Sequence, residues 1–126
     1  MKVYLSGGMK SGWQEEVPEI GGVYYFDPRI HSPQNNTSME FVYKDIEAVK
    51  SSDVVFCYME RDNPTGYGAA WECAVAVENN IPIITVWEKP YVDPFFACNS
   101  LYLYNNFEKG LERLAKFLEI RKVRNS

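Results

Sequence analysis

Residues 53–86 read DVVFCYMERDNPTGYGAAWECAVAVENNIPIITV. An apolar run at 53–59 comes first, then a polar loop at 60–65. An apolar helix-forming segment follows, stopped by Asn79 and Asn80, and a second apolar run fills 81–86. Near-continuous apolar runs of this length read as buried parallel strands. Strand, helix and strand in that order form one right-handed crossover unit. Up to Ala76 the helical segment carries one carboxylate, Glu72. Its neighbours at three and four residues are Gly68, Ala69, Val75 and Ala76, all small or apolar. A solvated Glu has polar neighbours, so Glu72 is expected to face a protein-lined cavity. An ionised carboxylate is costly there unless it is paired or functional.

The same alternation extends to both ends of the chain. Residues 2–6, KVYLS, read as a buried strand ending in the turn Gly7-Gly8. These glycines allow backbone N–H groups to approach a ligand closely. A dinucleotide fingerprint is not met, because GGMKSG lacks the G-x-G-x-x-G spacing. Residues 12–20 suggest a short helix limited by Pro18. Residues 23–26, VYYF, read as a second strand closed by a turn at 27–29. Asp27 then stands at a strand's carboxyl end, where open α/β sheets place ligands. Arg29 is placed to pair with Asp27 or with a substrate anion. Residues 30–36 read as loop. They include His31, for which surface placement and substrate contact both stand.

Residues 37–40, TSME, match a capping box that opens a helix. Its apolar stripe is Phe41, Val42, Ile46 and Val49, and Asp45 falls within the stripe. Lys44, Glu47 and Lys50 take the exposed face. Two readings of Asp45 stand level: a structural acid that caps or pairs, and a functional one. Beyond the fourth strand, residues 94–99 read as a short helix or extended segment, and residues 101–104, LYLY, as a fifth strand. Phe107, Leu111, Leu114, Phe117 and Leu118 give the period of a final amphipathic helix. The fold class is α/β. The expected architecture is a flavodoxin-like or Rossmann-like three-layer sandwich around a five-stranded, mainly parallel sheet.

A length of 126 residues fits one domain, 1–126, and 46% hydrophobic residues suffice for a core. The net charge of −4 argues against nucleic acid as the main partner. No run reaches the ~18 apolar residues of a membrane span, and the start lacks a signal peptide's apolar segment. Three cysteines without short spacing read as reduced thiols, so a cytoplasmic setting is expected. One histidine and no C-x-x-C leave zinc without an obvious ligand set, and neither metal nor cofactor is expected. Trp13, Tyr91, Phe95, Phe96, Tyr102 and Tyr104 are expected to be exposed, at a subunit contact or against a base.

Two acids thus sit on the inward faces of helices flanking one strand, Asp45 before it and Glu72 after it. Paired carboxylates in one pocket suit glycosyl chemistry: one attacks an anomeric carbon and the other manages a proton on the leaving group.

The segments KVYLSGGM, YKDIEAVKSSDVVFCYM and GYGAAWECAVAVENNIPIITV resemble those of the nucleoside 2-deoxyribosyltransferases and the related deoxynucleoside 5'-monophosphate N-glycosidases, over nearly the whole chain. The resemblance implies that Glu72 is the nucleophile, that Asp45 assists proton transfer at the base or orients it, and that Tyr4 positions Glu72. It implies a substrate site along Ser6, Gly7, Gly8, Met9 and Lys10; Asp27, by its place after a strand, is expected at the same sheet edge, and the small Gly68 would let a sugar come close to the helix. It also implies a homodimer or higher homo-oligomer, with Asn99 or Ser100 lent across the interface. The partners implied are a deoxynucleoside or deoxynucleotide and a nucleobase. Departures are Gly8 where the family often has Pro or Ser, and Cys73 where it has Gly. The phosphate-binding serines and arginine of the monophosphate hydrolases are replaced by Gly8, Lys10 and Gly66, which leans toward a free nucleoside. Lys10 remains as a point charge. The alternatives are hydrolysis of a nucleoside 5'-monophosphate and a non-catalytic nucleotide-binding module on the same fold.

Overall fold

The computed structural model describes residues 1–34, 39–64 and 66–124. Five strands form one sheet: β1 (Lys2–Gly7), β2 (Tyr24–Phe26), β3 (Val54–Met59), β4 (Ile83–Trp87) and β5 (Tyr102–Tyr104). Their order is β2-β1-β3-β4-β5, and every neighbouring pair is parallel, rather than mainly so. The helices are α1 (Pro28–His31), α2 (Glu40–Lys50), α3 (Tyr67–Glu78), α4 (Pro94–Asn99) and α5 (Phe107–Arg124). This is the flavodoxin-like winding, with its switch point between β1 and β3.

Strand alternation sorts side chains onto two cores. Tyr4, Val55, Cys57 and Met59 pack with Ala48 and Val49 of α2 and with Ala69, Cys73 and Ala76 of α3. Val3, Leu5, Phe56 and Tyr58 pack on the opposite face with Leu114 and Leu118 of α5. All six residues of β3 are buried, as a central parallel strand requires. Residues 94–99 settle as a helix because Asp93 accepts from the Phe96 N–H and Pro94 occupies the first turn.

Several expectations change. Residues 12–20 form only one 3-10 turn, Trp13–Glu16, entered through Gly12 at φ 79°. Trp13 is not exposed. It is 3% accessible and its ring meets Phe56, Tyr58 and Phe107. A lone aromatic between glycines has no periodicity to reveal such burial. Residues 28–31 are a helical turn rather than turn and loop, because Asp27 accepts from the Arg29 N–H and Pro28 pre-sets φ. Val42 is 41% exposed rather than buried, since the α2 stripe runs out into an open cleft. In the expected capping box, Thr37 and Ser38 lie outside the described residues, and α2 begins at Glu40.

Candidate functional site

The cleft opens at the carboxyl ends of β1 and β3, the switch point where such sheets bind ligands. It encloses about 1000 Å³. The turn after β1, the loop after β3 and facing residues of α2 and α3 form its walls.

β1 supplies the floor. Tyr4 and Ser6 are two residues apart and therefore share one face of the strand. Both are buried. Helix α3 lies across that face and lowers Glu72 onto them. The Tyr4 hydroxyl donates to Glu72 Oε2, and the Ser6 hydroxyl donates to Oε1 at 2.8 Å. Both carboxylate oxygens are thereby fixed, while the side chain still borders the cleft. The Tyr4 ring is stacked on Phe26 at 5.4 Å, so the donor is itself held in place.

Burial pushes the Glu72 carboxyl up to about 7. The Tyr4 and Ser6 hydroxyls oppose this by stabilising the anion, and the charge of Asp45 adds to it. Burial also raises Tyr4 far above the phenol range, with Glu72 contributing, so its proton stays in place to be donated. Asp45 is 7% exposed, and among the described residues its Oδ1 has no hydrogen-bond partner. Burial raises its carboxyl, against the Ser32 hydroxyl and the Lys44 charge. A buried acid with an unpaired oxygen at a cleft wall is a group waiting for a ligand proton or donor. Beside Glu72, the buried Cys73 thiol is pushed well up by its contact with Cys57 and by burial, which makes it a poor nucleophile.

Of the residues singled out from the sequence, Glu72, Asp45, Gly7, Gly8, Met9, Lys10 and Gly68 meet at this cleft. Tyr4 and Ser6 lie beneath it and act through Glu72. The Asp27 carboxylate is away from the cleft lining. It caps α1 and pairs with the Arg29 guanidinium at 2.8 Å, the plainer of the two readings of that pair. His31 closes α1, where its Nδ1 accepts from the Asp27 N–H at 3.0 Å. Asn99 and Ser100 end α4, also off the cleft. The Asn99 amide donates to the Phe95 carbonyl, and Ser100 meets the Thr85 hydroxyl at 2.6 Å. Their expected role lies with a neighbouring subunit.

Sequence reading passed over Glu60, Arg61, Glu88 and Trp71, which also line the cleft. The first two lie in a polar loop at a strand's carboxyl end, and that position was their only signal. Among the described residues, no group of three His, Cys, Asp or Glu is placed to hold a metal ion, and no helix is long and apolar enough to cross a membrane. The chain matches no family model and no curated protein sequence.

Proposed function

We propose that the protein is a nucleoside 2-deoxyribosyltransferase acting through Glu72. One observation carries this: a carboxylate held through both oxygens by Tyr4 and Ser6 shares a cleft of about 1000 Å³, roomy enough to admit a nucleoside, with the buried acid Asp45. A Glu72 oxygen attacks C1' of a 2'-deoxynucleoside. The C1'–N bond breaks, and its electron pair leaves with the base, which takes a proton from the Asp45 carboxyl. The covalent deoxyribosyl ester then yields to the nitrogen of a second base, whose proton returns to Asp45, and the Glu72 carboxylate is released. The two hydroxyls withdraw when the ester forms and recover the anion when it breaks. In this proposal the enzyme works in the cytoplasm as a homo-oligomer, with Asn99 and Ser100 facing a neighbour's cleft. The exposed Tyr91, Val92 and Phe95 beside them suit such a contact.

The test is to incubate 2'-deoxynucleosides with and without a second free base. A new deoxynucleoside that forms only when that base is present is the expected product. Absence of any base release across purine and pyrimidine donors, phosphorylated or not, would overturn the proposal. A second reading, hydrolysis of a nucleoside 5'-monophosphate, draws on Lys10 and Arg61 in the cleft lining. It predicts free sugar phosphate and no new nucleoside.

The pH dependence follows from the nucleophile. Attack needs the anion, so kcat/KM should climb with pH through about 7, where Glu72 ionises. Removing the Tyr4 donor withdraws an interaction that lowers that pKa. Tyr4→Phe should therefore move the rising limb to higher pH and slow turnover at pH 7 about ten- to a hundredfold. A limb that stays in place would mean that Tyr4 does not tune Glu72.

A further inference from the structure

The glycine turn at the end of β1 is already occupied. A Cβ built on Gly8 would stand 2.9 Å from Glu60 Oε1 and 3.2 Å from Asn63 Nδ2. The turn is pinned from behind, because the Gly8 carbonyl accepts from Trp13 Nε1 at 2.8 Å and from Gln14 Nε2 at 2.9 Å. Both donors are buried. The loop bearing Glu60 is also tied down. The Asn63 N–H donates to the Glu60 carbonyl at 3.3 Å, and the Lys89 ammonium donates to the Asn63 carbonyl.

A glycine turn at the carboxyl end of a parallel strand, near the start of α3, is where backbone N–H groups ordinarily receive an anion. Here a carboxylate of the chain itself stands over that turn. The surrounding charge has the same sign: Lys10 and Arg61 are outnumbered by five side-chain carboxylates on the lining.

We infer that Glu60 is a specificity-determining residue that bars 5'-phosphorylated substrates and accepts a hydrogen bond from a free 5'-hydroxyl. This rests on Glu72 as the group that attacks the sugar. The glycine turn follows directly on Ser6, which holds Glu72, and it lines the same cleft as Glu60; with C1' at Glu72, the 5' end of the sugar is assigned to this turn. A phosphate there would face the Glu60 carboxylate in a cleft partly shielded from water, where like charges repel more strongly than in bulk. A hydroxyl is neutral and donates to the same oxygen. One side chain thus supplies both the attraction and the repulsion that discrimination requires.

The experiment compares one 2'-deoxynucleoside with its 5'-monophosphate in the native protein and in Glu60→Gln and Glu60→Ala. Both kcat/KM and binding, followed by thermal shift, are measured. The native protein should favour the nucleoside by about tenfold or more, and either substitution should shift the ratio toward the monophosphate by about tenfold. Inorganic phosphate should stabilise the variants more than the native protein. A ratio and a phosphate response that stay within about twofold of native would overturn the assignment, as would a native preference for the monophosphate. Loss of all base release with the binding shift intact would instead overturn the role of Glu72 and leave Glu60 supported. Because Glu60 lies in a loop, unchanged unfolding temperatures of the ligand-free variants serve as the folding control.

Discussion

Glu72→Gln is expected to reduce base release by about a thousandfold or more while making the folded protein more stable at pH 8. The amide keeps the shape of the side chain and still offers an acceptor to one hydroxyl and a donor to the other. What it lacks is an oxygen able to form the glycosyl ester. The stability gain follows from the same burial that brings Glu72 to about 7 from an ordinary 4.5. Between those two values the folded chain retains a proton that the unfolded chain has released. Stability therefore falls as pH rises across that window, and the loss is complete above about 7. At about 1.4 kcal/mol for each tenfold change in proton affinity, the cost amounts to about 3 kcal/mol at pH 8. The amide has no proton to lose, so the variant should escape it. Urea unfolding at pH 5 and pH 8 reads the effect directly. The native and variant midpoints should lie close together at the lower pH and separate at the higher one. Equal separation at both would show that Glu72 is not buried as described. Cleavage within tenfold of native would remove it as nucleophile. A residue whose loss raises stability and abolishes activity behaves as active-site groups do when function is bought with strain.

Gly7→Ala should cost about 3 kcal/mol or more, a large part of the ~5–15 kcal/mol that holds a domain of this kind together. Gly7 ends β1 at φ 140°, a region closed to residues with a side chain. An added Cβ would also fall 2.3 Å from the Tyr58 carbonyl oxygen. Tyr58 is its register partner on β3, in the middle of the sheet, so neither backbone is free to yield. The denaturation midpoint should fall with little change in slope. Because the same turn forms part of the cleft, turnover should fall with it. A shift no larger than that of a surface alanine substitution would show that the two strands do not approach as closely there.

Much of the architecture was legible because its causes are local. The runs at 53–59 and 81–86 were long and apolar enough to be buried strands, and the small-residue segment between them could cross only as a helix. The first two strands are shorter, yet glycine and proline marked their ends. What went unread had no local signature. Trp13 is a core residue because Phe56, Tyr58 and Phe107 converge on it from two other elements. Val42 is exposed because the helix stripe it belongs to overhangs a cleft. Asp27 looked like a ligand group by its place after a strand, but the Arg29 guanidinium two residues on engages it.

The sequence by itself determined the α/β class, the run of strands and helices, and the awkwardness of Glu72 and Asp45 on apolar helix faces. Those follow from side-chain period and turn chemistry, which act over a few residues. Only the tertiary structure decided what Glu72 touches. Its hydroxyl donors stand 68 and 66 residues away on β1, and nothing local specifies that α3 must lie over that strand at that height. The packing of Ala69, Cys73 and Ala76 against the sheet fixes the height. It brings one carboxylate to two buried hydroxyls at a switch point, and it leaves a second carboxylate, that of Glu60, standing over the glycine turn.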